Sequence, residues 1–211
     1  MIVYNVNEKK GFKQVDSREI NKKSDDVKII VEGKVKYKHW VRFIKNRKVI
    51  IEGKNKDAVL MIPFDIMLHS GEEKYNDHRE YINGSQCYFG GDKNAKYIFR
   101  NLKIKPEVEF RGYFREKDKK EEVSKKAKKL LFTPKLLFIM INHDSNVLFD
   151  SCSFELENDL KYIVDTWHDS KCVFKRCKFP QNMIFKKHHD SSIERIECEV
   201  VEENYHRREK R

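Results

Sequence analysis

The chain has 211 residues, room for one domain with a sizeable core, and its 39% hydrophobic content excludes disorder over the whole length. Forty-five Lys and Arg against thirty-four Asp and Glu leave a net charge of +11, which favours an anionic partner: nucleic acid, acidic polysaccharide or a charged surface. No apolar run approaches a membrane span and the start, "MIVYNVNEKK", has none of signal-peptide length, so no membrane partner and a cytoplasmic or virion location are expected.

In chain order, the first strand signals are "IIVEG" at 29–33 and "VIIEG" at 49–53, which repeat at a spacing of 20 residues. Residues 64–94, with "HSGEEKYNDHREYINGSQ", read as an irregular excursion. Tyr97, Phe99, Leu102 and Ile104 then set a pattern of two alternating apolar pairs separated by a one-residue phase slip. Alternation marks a strand with one buried face, and the slip marks a corner that starts another short strand. Residues 105–134 interrupt the pattern: "FREKDKKEEVSKKAKK" carries Glu and Lys at helical spacing and predicts a short charged helix or mobile arm closed by Pro134.

The pattern returns as Val147, Phe149, Cys152 and Phe154, and again as Cys172, Phe174, Cys177 and Phe179. From Ile193 it gives Cys198 and Val200, with Arg195 as a misfit in the second place. The starts at 147, 172 and 193 are 25 and 21 residues apart, a period that predicts an all-β coiled solenoid in a single domain, 1–211. Stacking the units places Cys152 over Cys177, Phe154 over Phe179 and Asp150 beside Lys175. Two alternative folds fit less well: the regular Leu and Asn framework of a leucine-rich repeat is missing, as are the hairpin turn signals of a sandwich.

Five cysteines (Cys87, Cys152, Cys172, Cys177 and Cys198) are an odd number without close pair spacing, and read as small buried hydrophobes in a reducing compartment. Of the aromatic residues, Tyr88, Phe89, Tyr113 and Tyr205 stand outside the apolar ladder and are free to stack on a sugar or base. "HHD" at 188–190 suggests a metal cluster with His143 or His168, but adjacent histidines on a strand point to opposite faces and cannot share one ion without a bend. No phosphate-binding loop, dinucleotide glycine fingerprint or nucleophile motif is present.

Five words in order then resemble the pectate lyase family: "KIIVEGKV" at 28–35, "RKVIIEGKNKDAVL" at 47–60, "KYIFRNLKI" at 96–104, "DSNVLFDSCSF" at 144–154 and "NMIFKKHHD" at 182–190. The resemblance implies a right-handed single-stranded parallel β-helix with loop insertions. It also implies calcium as the one candidate cofactor, held by Asp150, Asp165 and, more weakly, Asp159, and a catalytic arginine whose nearest equivalents are Arg207, Arg208 and Arg211.

The departures lie at the same place. Lys161 falls where the family has an aspartate, Lys175 sits beside Asp150, "PQN" at 180–182 replaces the family's lysine, and the arginines belong to a basic tail at about 202–211. The expectation is therefore a reduced, non-catalytic relative that binds an anionic polymer through Asp150, Asp165, Lys161, Lys175 and Tyr205, with acidic polysaccharide favoured over nucleic acid. An active calcium-dependent polysaccharide lyase or glycoside hydrolase is the first alternative. An intracellular nucleic-acid- or protein-binding inhibitor is the second, its contact being the lysine-rich arm at 117–129. A homodimer or a partner capping one solenoid end is expected from unpaired strand edges.

Overall fold

The computed structural model describes residues 1–15, 25–36, 48–67, 87–89, 96–111, 135–141, 145–156 and 161–201. These form seventeen short strands and one 3₁₀ turn (Gly11–Gln14), with no α-helix among the described residues. The strands sort into three sheets, and all pairings are parallel.

The first sheet holds β1 (Ile2–Asn7), β2 (Val27–Glu32), β4 (Lys48–Gly53), β7 (Lys96–Arg100), β10 (Asn146–Asp150), β13 (Lys171–Lys175) and β16 (Ser192–Ile196), in that order. The second holds β3 (Lys34–Lys36), β5 (Val59–Met67), β8 (Lys103–Arg111), β11 (Ser153–Phe154), β14 (Lys178–Pro180) and β17 (Glu199–Val201). The third holds β6 (Cys87–Phe89), β9 (Lys135–Ile141), β12 (Lys161–Thr166) and β15 (Met183–Lys187). From β7 onward the chain visits first, second and third sheet in turn and then steps to the next strand of the first. This is the path that a β-solenoid requires.

The predicted units are therefore real but incomplete. Strand, corner and strand were read from alternation; the third strand of each turn was not, because "KLLFIMI" and "KYIVDT" carry apolar residues without alternation, and in the second Tyr162 to Thr166 are buried on both faces. Ile163 and Asp165 are buried although they alternate with the inward Tyr162 and Val164. The insertions also begin later than expected. β5 runs to Met67 and β8 to Arg111, paired with each other along nine residues, and β6 lies inside the first excursion. The predicted charged helix or arm falls mostly on 112–134, outside the described residues, as do 37–47, 68–86 and 202–211.

Inside, equivalent side chains stack. Phe99, Phe149 and Phe174 are fully buried, with ring centroids 4.9 and 5.0 Å apart and planes within 17° and 8° of parallel. The register confirms Asp150 beside Lys175 and carries Cys152 and Cys177 into adjacent positions. Arg195, the misfit, follows Phe174 in this column at the last turn and lays its guanidinium 5.4 Å from the centre of the Phe185 ring.

The corner between first and second sheet needs a left-handed residue in several turns: Asn101, Ser151, Arg176 and Glu197 have φ between 51° and 56°, and Gly33 has 72°. Gly53 is required for space, since a Cβ there would stand 2.1 Å from the Asn101 carbonyl oxygen.

The two ends differ. At the N-terminal end, the 3₁₀ turn sinks Phe12 and Val15 into the core and Glu8 Oε1 accepts from the Lys34 N–H at the edge of β3, 3.1 Å away. At the other, Ile196, Val200 and Val201 are exposed among the described residues.

Candidate functional site

Along the outer face of the first sheet, pairing aligns three columns across β4, β7, β10 and β13. The first is Lys48, Lys96, Asn146 and Lys171; the second Ile50, Ile98, Leu148 and Val173; the third Glu52, Arg100, Asp150 and Lys175. An aliphatic stripe, buried at Ile50 and half-buried thereafter, is thus flanked by charge on both sides. The three columns hold five cations (Lys48, Lys96, Lys171, Arg100, Lys175) against two carboxylates (Glu52, Asp150), a surplus of three.

Glu52 is taken by Lys28 of the neighbouring strand, 3.1 Å away, and Lys171 pairs with Glu194 at 2.7 Å. Lys48 and Lys96 are exposed, and neither ammonium has an ion pair among the described residues. A polymer lying across the strands would meet this pattern again every ~4.8 Å.

Asp150 sits within this face, its side chain 15% exposed, and lies between two arginines. Arg176 Nη2 donates to Oδ1 at 2.5 Å, Ser151 Oγ donates to the same oxygen at 3.1 Å, and Arg100 Nε lies 3.8 Å from Oδ2. Arg176 Nε also donates to Ser151 Oγ at 3.3 Å, so the left-handed corner residues of two successive turns are tied to the carboxylate. Lys175 neighbours Asp150 in register, yet Arg176 makes the closest ion pair.

Asp165 lies in the third sheet. Its side chain is 6% exposed, and the indole Nε1 of Trp167 donates to Oδ2 at 2.9 Å. His188 Nε2 stands 3.0 Å from Oδ1, off the hydrogen-bonding direction, so that contact is a charge pairing when the imidazole is protonated. Trp167 and His188 stack with ring centres 3.9 Å apart and planes 14° from parallel.

The turns after β12 and β15 build this arrangement. His168 and His189 take left-handed φ values of 54° and 55° and stack on each other at 5.2 Å, while Ser191 Oγ donates to the Thr166 carbonyl and accepts from the His188 N–H. His188 and His189 lie in the turn just after β15, and both rings stand beside Trp167, His188 stacked at 3.9 Å and His189 tilted at 5.8 Å.

The calcium expectation meets the wrong donors. Asp150 already holds two guanidinium groups, Asp165 is in a different sheet behind an indole and an imidazole, and no three His, Cys, Asp or Glu among the described residues are grouped to hold a metal. The described residues therefore do not fit that ion. Asp159, Tyr205, Arg207, Arg208 and Arg211 lie outside the described residues; Lys161 is exposed at the start of β12 and Lys175 half-buried at the end of β13, in separate sheets.

Three features escaped sequence reasoning: the Arg100–Asp150–Arg176 contact, the Trp167–His188 stack over Asp165, and Lys48 and Lys96 in one column. For the second a signal was present. "HDS" occurs at 143–145, 168–170 and 189–191, with the same spacings of 25 and 21 residues as the strands, and marks the turn that positions these rings.

Comparison of the chain with family models, with curated proteins and with solved structures finds no match. What fold and site define together is an all-β protein of three parallel sheets with a cationic, aliphatic-striped outer face. No helix among the described residues is long and apolar enough to cross a membrane.

Proposed function

We propose that the chain is a right-handed parallel β-helix of the pectate lyase type that binds an anionic polymer without cleaving it. The ligand is an acidic polysaccharide laid along the outer face of the first sheet. The observation that carries this reading is the alignment of Lys48 and Lys96 beside the Ile98, Leu148 and Val173 stripe. A uronate polymer presents carboxylates and apolar C–H ring faces together, and this surface offers a counterpart to each. Nucleic acid would satisfy the lysines but gain little from aliphatic side chains, since base stacking needs aromatic platforms. The two guanidinium groups beside Asp150 support the non-catalytic reading, because their positive charge at 2.5 and 3.8 Å from its oxygens opposes a hard cation there.

Titration with polygalacturonate, a neutral glucan of similar length and single-stranded DNA tests this reading. Binding to polygalacturonate should exceed that to the other two and should weaken as salt is raised from 50 to 500 mM, by roughly tenfold or more as for other multi-lysine contacts. The double variant Lys48→Glu/Lys96→Glu should lose most of the affinity with an unchanged melting temperature, because both side chains are exposed. Equal binding of the neutral glucan, or full affinity in the double variant, would sink the proposal. Appearance of unsaturated uronate absorbance would replace it with a lyase.

A further inference from the structure

The corner that opens each second-sheet strand stacks cysteines. Ser153 pairs with Lys178 and Lys178 with Glu199, so the residues immediately before them, Cys152, Cys177 and Cys198, follow one another on three successive turns. The ladder is continuous through the backbone: the Lys178 N–H donates to the Cys152 carbonyl and the Glu199 N–H to the Cys177 carbonyl, each at 2.9 Å.

The sulfurs repeat one geometry as well. Cys177 Sγ donates to the Phe149 and Lys175 carbonyls at 3.3 and 3.4 Å, and Cys198 Sγ to those of Phe174 and Ile196 at 3.2 and 3.4 Å. Both side chains therefore lean the same way, one turn apart. Neighbouring parallel strands lie ~4.8 Å apart, inside the ~4.4–6.8 Å between Cα atoms that a disulfide spans.

Access differs along the ladder. Cys152 and Cys177 are buried, whereas Cys198 is partly exposed beside the exposed Ile196 and Val200 of the last turn. All three are free thiols.

We propose that Cys177 and Cys198 form a disulfide pair oxidised by hydroperoxides, a modification site that pins the last turn of the solenoid to the one before. In the first step the Cys198 thiolate attacks the peroxide, giving Cys198 sulfenic acid and releasing the alcohol or, from hydrogen peroxide, water. In the second the Cys177 thiolate attacks the Cys198 sulfur, the S–S bond forms, and the sulfenic oxygen leaves as water with the Cys177 proton.

Cys177 suits the resolving role. The hydrogen bond from Cys152 lowers its pKa below that of an ordinary thiol, while the same contact and burial raise that of Cys152 well above it. The disulfide therefore stays at the accessible end instead of migrating inward by exchange with Cys152. Cys172, raised by its burial and then by the neighbouring Cys177, stands in the first sheet on the interior face, outside this column's register.

Mild hydrogen peroxide treatment of the full chain, alkylation of the remaining thiols and peptide mass spectrometry test the assignment. The expected product is a Cys177–Cys198 cross-linked peptide pair, two hydrogens lighter than the reduced pair and restored by dithiothreitol, with Cys152 and Cys172 alkylated. Oxidation should raise the melting temperature, and Cys198→Ser should abolish both cross-link and shift while undergoing the same methionine oxidation.

Cys152→Ala provides an independent variant that leaves both bonding partners in place; it should still cross-link, but more slowly, because the hydrogen bond favouring the Cys177 thiolate is removed. Sulfinic or sulfonic acid at Cys198 without a cross-link would overturn the proposal. So would a disulfide joining other cysteines.

Discussion

Asp165 and Asp150 are both aspartates on outer positions of parallel strands, and their surroundings give them opposite weight. Asp165 is buried and satisfies the Trp167 indole N–H, so Asp165→Ala removes that acceptor from a half-buried ring. The expected cost is about 1–3 kcal/mol in thermal or urea unfolding, with altered tryptophan emission as Trp167 loses its partner. Asp150 is tied to arginines that are 39% and 50% exposed, and pairs of that kind contribute ~0–1 kcal/mol, so Asp150→Ala should shift the unfolding midpoint far less. Equal losses in the two variants would show that burial does not separate them. Glu197, exposed with φ of 54°, gives a backbone test: Glu197→Val should lose about 1–2 kcal/mol, while Glu197→Gly should be neutral or stabilising. A tolerated valine would show that the left-handed corner is not required at the last turn.

The inward columns carry most of what the strands contribute. Phe149 stacks between Phe99 and Phe174, so Phe149→Ala opens a cavity bounded by two rings fixed on neighbouring turns. A loss of about 3–5 kcal/mol is expected from denaturant unfolding, and a loss below 1 kcal/mol would mean that the column collapses to fill the gap. Gly53→Ala forces a Cβ against the Asn101 carbonyl and should cost about 1–3 kcal/mol through strain instead of a void. The first- and second-sheet strands were legible because their faces alternate, apolar inward and polar outward. β12 was not, since Tyr162 through Thr166 are all buried and the period of two disappears. The candidate site was legible in part for the same reason: Asp150 stood out inside an alternating word, whereas the Trp167 and His188 rings meet only because turns 21 residues apart are superposed.

For the molecule as a whole, the surplus of eleven positive charges does not say where an anion would dock. Many lysines are spent in pairs on the second sheet and its rim, such as Lys103 with Asp57, Lys105 with Glu155 and Lys178 with Glu199. The described part of the first sheet keeps its surplus beside an aliphatic stripe, which is why the polymer-binding test targets Lys48 and Lys96. The ends follow similar logic: the N-terminal 3₁₀ turn closes the core with Phe12 and Val15, while the last turn substitutes Arg195 for the aromatic column. Local order by itself determined the strand–corner–strand unit, the 25- and 21-residue repeat and the stacking register, because alternation and phase are properties of consecutive residues. Only the tertiary structure decided that each full turn has a third strand, and that Asp150 is held by arginines and Asp165 by an indole and an imidazole. Those are contacts between turns, set by which residues the coil brings one above another.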